Sequence, residues 1–250
     1  MGAVGLLLVG PVLFVNGLAV LGVVRPRGAA PLNFFVGGAQ VVLPTIILAQ
    51  AGGDAALVDA TWPSYLFGFT YLFYALLVTF DLEPEGMGWF SVFVAAVALF
   101  HAVTTWGTDP VFAVIWFTWA VMWSLFFALM ALGRAELGRF TGWFLVLLGI
   151  PTCTVAGVAM LRDAWPTSSV AGWLAVAGQT ATLVGVHFGL GFELPLWPAL
   201  GMVFLTALTN IVLRARKPRP QRLNEGQSAT ILAFDIVQLA LLLYLTGGLA

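Results

Sequence analysis

Six stretches of about twenty residues run through the first two-thirds of this chain without an interior charge, at about 3–24, 31–50, 63–80, 88–107, 110–132 and 140–161. A helix of that length spans about 30 Å of hydrocarbon and satisfies its own backbone hydrogen bonds where no water is present. The expected class is therefore all-α integral membrane. Only 8% of the 250 residues are charged and 61% are apolar, against about a quarter charged in a soluble domain, so a soluble enzyme is excluded. The first stretch has no basic residue ahead of it and exceeds a signal-peptide core, which makes it a retained span. Cys153 is the single cysteine. Neither a disulfide framework nor a thiolate metal cage can form within one chain, and no cofactor is expected. A net charge of −1 offers no field for nucleic acid.

Arg25 and Arg27 follow the first span and Arg134 and Arg139 follow the fifth, which puts both basic loops on one side. That side is expected to be cytoplasmic, with the N-terminus outward. Short connections make successive helices antiparallel. Beyond Trp165 three further spans are expected, at about 171–190, 196–213 and 228–247. Arg214, Arg216, Lys217, Arg219 and Arg222 lie between the last two, and simple alternation puts this basic loop outside, against the positive-inside bias. The chain thus divides into a six-span part, 1–165, and an appended membrane segment, 166–250, whose topology conflicts with it.

In the first part Asp54, Asp59, Asp81, Glu83, Glu85, Asp109, Glu136 and Asp163 all fall in loops or at span ends. A coupling ion needs a partner inside the membrane, so an ion-coupled carrier is disfavoured. His101, near the end of the fourth span, is the titratable exception, and it reads as a structural hydrogen-bonding group before it reads as a gate. What the spans offer instead is aromatic surface. In AVIWFTWAVMWS, residues 113–124, Trp116, Trp119 and Trp123 stand at i, i+3 and i+7 and share one helical face, with Met122 at its edge. Phe69 and Phe73 stand at i and i+4 in LFGFTYLF, residues 66–73. Gly68 admits a neighbouring helix, and Asn16 carries an amide that would be costly against lipid. Such rings can form an interfacial belt or ordinary interhelical packing, although belts cluster at span ends and Trp119 lies mid-span. Facing a lumen, they would make a narrow uncharged slot in which indole N–H groups donate to a carbonyl oxygen and ions lose hydration without compensation. A flat neutral amide fits that slot.

Six segments, VGPVLFVNGL at 9–18, NFFVGGAQVV at 33–42, LFGFTYLF at 66–73, GWFSVFVA at 88–95, AVIWFTWAVMW at 113–123 and GRFTGWF at 138–144, together resemble the AmiS/UreI family of acid-activated urea channels and amide transporters. The resemblance implies an inner-membrane protein of six spans, built as three helix hairpins around a pore and assembled as a hexameric ring. Urea or short aliphatic amides would pass down their gradient, with lipid the other partner. It assigns the pore lining to Leu6, Leu13, Phe69, Phe73, Trp116, Trp119, Met122 and Trp123, to which Asn16 is added for its amide. The loop 51–62 has no histidine, so the external acid gate of the urea channels is not expected. Leu148 stands where the urea channel has a glutamate and Phe73 where it has a tyrosine, which favours acetamide-like solutes over urea.

The last third is similar to something else. WLAVAGQTATLVGVHFGLGFELPL at 173–196, the basic loop ending in RPQRL and FDIVQLALLLYLTGGL at 234–249 resemble the first membrane spans of RegB/PrrB-type sensor histidine kinases, with no kinase domain following. The expected function is a passive channel for small neutral amides carried by residues 1–165. A truncated sensor or regulatory membrane module and a proton-coupled amide carrier are the alternatives. A chain ending at Trp165 is expected to keep its solute flux in vesicles, and loss of a folded, permeable protein on that truncation would refute the division.

Overall fold

The computed structural model describes residues 2–163 and Trp165, with only 197–201, 203–204, 207–208 and 237 beyond them. The three spans expected after Trp165, the basic loop between them and the acids Glu193 and Asp235 lie outside the described residues, apart from those few positions. Every described element is helical: α1 (Ala3–Val20), α2 (Pro26–Gln50), α3 (Ala55–Thr61), α4 (Pro63–Phe80), α5 (Glu85–Thr105), α6 (Pro110–Met130), α7 (Gly138–Gly149) and α8 (Ala156–Leu161). A 3₁₀ turn, Ala135–Leu137, leads into α7, and a widened π-type stretch, Ile150–Val155, joins α7 to α8. Six helical units are long and apolar enough to cross a membrane: Ala3–Val20, Pro26–Gln50, Ala55–Phe80, Glu85–Thr105, Val111–Met130 and Ala135–Leu161. The protein is a multi-pass membrane protein.

Three boundaries differ from the sequence reading, each for a local reason. The second span begins at Pro26, because a proline at a helix start gives up only an N–H that has no partner there. Pro31 and Pro44 then sit inside it, as membrane helices tolerate. The loop before the third span contains α3, started by Asp54, whose carboxylate accepts from the N–H groups of Ala56 at 2.9 Å and Leu57 at 3.1 Å. The sixth span is not one regular helix. Pro151 brings no N–H and its ring crowds the preceding turn, and the backbone answers by widening over Ile150–Val155.

The helices form a closed ring in chain order. Contacts are most extensive between α2 and α4, α5 and α6, and α1 and α7, with α1 continuing along the π stretch and α8, so the first span seals against the last. Backbone carries that seal. A Cβ on Gly17 would lie 2.7 Å from the Gly142 carbonyl oxygen, and one on Gly142 would lie 3.1 Å from that of Gly17. Van der Waals packing is what associates helices in lipid, and such closeness needs residues without side chains. At the base of the ring Arg27 Nε donates at 3.2 Å to the Val78 carbonyl, one of the acceptors left open at the end of α4. Inside, one hydrophobic cluster runs from Leu6 and Leu13 of α1 through Phe67, the α6 tryptophans and Trp143 to Cys153, and it includes Ala199 and Val203.

Gly17→Val is expected to lower thermal stability in detergent by about 1–3 kcal/mol or more, through overpacking. Gly38→Ala, where an added Cβ meets nothing within 4 Å, is the control expected to melt like the parent. Equal melting of all three proteins would show that the seal does not depend on close approach.

Candidate functional site

The tryptophan stripe of α6 faces the middle of the ring. Trp116, Trp119, Met122 and Trp123 are 4%, 1%, 2% and 1% exposed, so a lipid-facing belt is ruled out. Asp109 starts α6 by accepting from the Phe112 N–H at 2.9 Å, with Pro110 supplying the first turn. That start fixes the helical phase, and the i, i+3, i+7 spacing then lays the indoles in a row.

The helix opposite contributes a different pair from the one expected. Phe69 is 48% exposed and Phe73 is half-buried beside Gly86 of α5; neither joins the row. Phe67 and Tyr71 are the buried rings of α4. Phe67 lies 5.9, 5.2 and 5.9 Å from the ring centres of Trp116, Trp119 and Trp123. Both pairs have the same i, i+4 spacing, so periodicity alone could not choose between faces about 200° apart. The signal that does choose is polar: Ser64 and Thr70 are buried on the Phe67 side, and hydroxyls avoid lipid. Phe73 carries no hydroxyl, and the buried tyrosine of α4 is Tyr71, two residues earlier and on the other face of the helix.

Leu6 and Leu13 of α1 are buried at 0% and 2% within the same cluster. Asn16 faces Asn33 of α2 across the ring wall, and the two amides bond reciprocally at 2.8 and 2.6 Å. Asn33 also donates to the Ala29 carbonyl at 2.9 Å, which completes its amino group. Beside this pair is a small cavity of about 20 Å³, open to the centre of a water molecule and lined by Leu13, Asn16, Val20, Tyr71, Tyr74, Met87, Trp123 and Phe126. Tyr71 and Trp123, two of its lining residues, each carry a buried polar atom, the hydroxyl and Nε1, that finds no partner among the described residues. Because α1, α4 and α6 contribute their second halves and α5 its first turn, the cavity lies toward the end that carries Arg25, Arg27, Arg134 and Arg139.

Residues not singled out as pore lining complete the row toward the other end. His101 stacks on Trp116 at 4.8 Å and lies 5.4 Å from Trp62, with its Nε2 unpartnered. Phe112 meets Trp116 and Trp119 edge-on at 5.8 and 6.0 Å, and Trp165 meets Phe112 at 6.1 Å while donating its indole N–H to Asp109 at 2.8 Å. Nothing in the spacing of Trp62, His101 or Trp165 announces this meeting, which is made by three separate spans. Among the described residues the charged side chains are exposed, apart from the half-buried Asp109, and no cluster could hold a metal ion.

Six apolar spans closed around a row of buried indoles, with the charges at the two ends, define a helical membrane bundle with an uncharged aromatic interior. The chain belongs to the AmiS/UreI family of transporters, whose sequence model matches residues 1–164. It is 50% identical to the putative transporter protein AmiS2 of Rhodococcus erythropolis, over 74% of this chain and 91% of that one. This coverage exceeds what residues 1–164 can hold, so likeness to that transporter runs past residue 164. The cryoEM structure of the Helicobacter pylori urea channel in its closed state superposes with a TM-score of 0.60 at 30% identity, covering 65% of this chain and 98% of that channel. The chain is also 42% identical to the sensor histidine kinase RegB of Cereibacter sphaeroides, over 31% of this chain and 17% of the kinase.

Asn33→Ala, which strands the Asn16 amide in a buried site, is expected to cost about 1–3 kcal/mol of stability. Replacing both asparagines by leucine is expected to cost less than twice that, because no unpaired amide remains; thermal melts in detergent compare the two. A double variant that loses as much as Asn16→Leu and Asn33→Leu lose when added together would mean the two amides are independent.

Proposed function

We propose that residues 1–165 form a passive channel for small neutral amides, with acetamide-like solutes ahead of urea and no external acid gate. The observation that carries this reading is that Tyr71 and Trp123 line one cavity with Asn16, while the buried Tyr71 hydroxyl and Trp123 N–H find no partner among the described residues. An unmade buried hydrogen bond is costly, and such groups are retained where a ligand makes it. A primary amide offers what the two groups lack. Its carbonyl oxygen accepts from the indole, and its amino group donates to the phenol oxygen. The flanking rings supply flat apolar walls that give no return for a stripped hydration shell, so ions stay out.

The row is packed ring on ring, with Phe67 against all three indoles, so transit requires Phe67 to swing aside. Leu6, Leu13 and Met122 line the path between the rings, while Phe69 and Phe73 belong to the outer wall. The end bearing Arg25, Arg27, Arg134 and Arg139 is cytoplasmic by the positive-inside bias, which places the cavity on the cytoplasmic side of the row. The membrane is the bacterial inner membrane, and the outward aromatics Phe69, Trp89, Phe93 and Phe117, each about half exposed or more, face lipid or neighbouring protomers of a hexameric ring. The names of the Rhodococcus relative, a putative transporter, and of the Helicobacter urea channel support transport over chemistry on the solute. Residues 166–250 are read as a membrane segment appended to the six-span part.

Vesicles holding the purified protein are expected to equilibrate acetamide and urea faster than empty ones, at a rate linear in the gradient and indifferent to proton ionophores. Tyr71→Phe and Trp123→Phe are each expected to lower the rate about three- to tenfold, the worth of one neutral hydrogen bond. Removing the unpaired Tyr71 hydroxyl does not threaten folding, so unchanged rates in both variants would overturn the reading. Saturable flux abolished by ionophores would replace it with the carrier.

A further inference from the structure

The three indoles of the row are chemically alike but not equivalently placed. Trp119 Nε1 donates to Thr152 Oγ1 at 3.3 Å, across from α6 to the sixth span. The Thr152 hydroxyl spends its own hydrogen on the Leu148 carbonyl at 2.6 Å, which leaves its oxygen free to accept. Trp123, one turn further on, has an N–H with no partner among the described residues. Thr152 reaches Trp119 from the widened stretch Ile150–Val155, which turns both Thr152 and Cys153 inward at 1% and 0% exposure. A π-type turn adds a residue to one turn and so re-aims the side chains that follow it.

We infer that Thr152 is a positioning residue of the amide pathway, which fixes the Trp119 ring and withdraws its N–H from the passing solute; the inference rests on the channel reading above. Held by Thr152, Trp119 stands edge-on to Phe67 at 5.2 Å and 71°, to Trp116 at 4.9 Å and 83°, and to Phe112 at 6.0 Å and 84°. The middle of the row is thereby a wall of fixed width. A solute therefore meets no free indole donor at mid-row, where the Trp119 N–H is tied to Thr152. Without the Thr152 oxygen, Trp119 gains an unpaired donor and loses the contact that sets its rotamer. The solute then lingers at mid-row, and the width that separates small amides from branched ones is no longer held.

The test is a double-mutant cycle on acetamide and isobutyramide flux in vesicles, with Thr152→Val, Trp119→Phe, the pair, and Thr152→Ser. Thr152→Val is expected to slow acetamide about three- to tenfold and to narrow the ratio of acetamide to isobutyramide permeability. Thr152→Ser, which keeps the oxygen, is expected to restore both. In the Trp119→Phe background, which has no ring N–H, Thr152→Val is expected to add nothing, because the two residues act through one bond. Equal effects of Thr152→Val in both backgrounds, or no rescue by serine, would assign Thr152 to backbone support at Leu148 and overturn the inference while leaving the channel intact. Should Thr152→Val not fold, serine and Trp119→Phe still decide: an unchanged permeability ratio in Trp119→Phe overturns it. Wild-type vesicles no more permeable to amides than empty ones would remove the channel reading and this inference together.

Discussion

The first and sixth spans touch through backbone, and that contact sets the geometry of everything inside. Gly17 and Gly142 lie against each other's carbonyls, and the same seam continues past Leu13 at Gly149 and past Leu7 at Gly157. In lipid there is no hydrophobic force to draw helices together, so close approach and the dispersion contacts it allows must do so. A ring closed this tightly has a narrow centre, and side chains entering it meet within van der Waals range. The aromatic row is what fills that centre.

Within the row, hydrogen bonding sorts side chains that shape alone would make interchangeable. One indole is tied to a threonine, another is left open, and the asparagine pair between α1 and α2 satisfies itself while turning an edge to the cavity. Buried polar groups in hydrocarbon are costly enough that each must be matched or reserved for a ligand. The break at Pro151 fits the same logic. It sacrifices regular helix over Ile150–Val155 and brings in Thr152, whose hydroxyl oxygen accepts from Trp119.

Much of this was legible in the chain. The six spans among the described residues and their order followed from charge-free length, and the Trp116, Trp119, Trp123 face from phase alone, because a mid-span indole run admits one stripe. The α4 pair was not, because Phe67–Tyr71 and Phe69–Phe73 share a spacing and a chemistry; the choice lay in Ser64 and Thr70, whose hydroxyls mark the face kept from lipid. α3 was hidden by its brevity, although Asp54 two and three residues ahead of the N–H groups it accepts is an ordinary helix start. The meeting of Trp62, His101 and Trp116 depends on three spans being brought side by side, which no local pattern encodes.

Asp109 is shared property. One of its oxygens holds the first turn of α6, and the other takes the indole N–H of Trp165, beyond the end of the sixth span. Trp165 is therefore moored to the same carboxylate that sets the phase of the tryptophan helix. A pull on Trp165 is delivered to the root of the indole row.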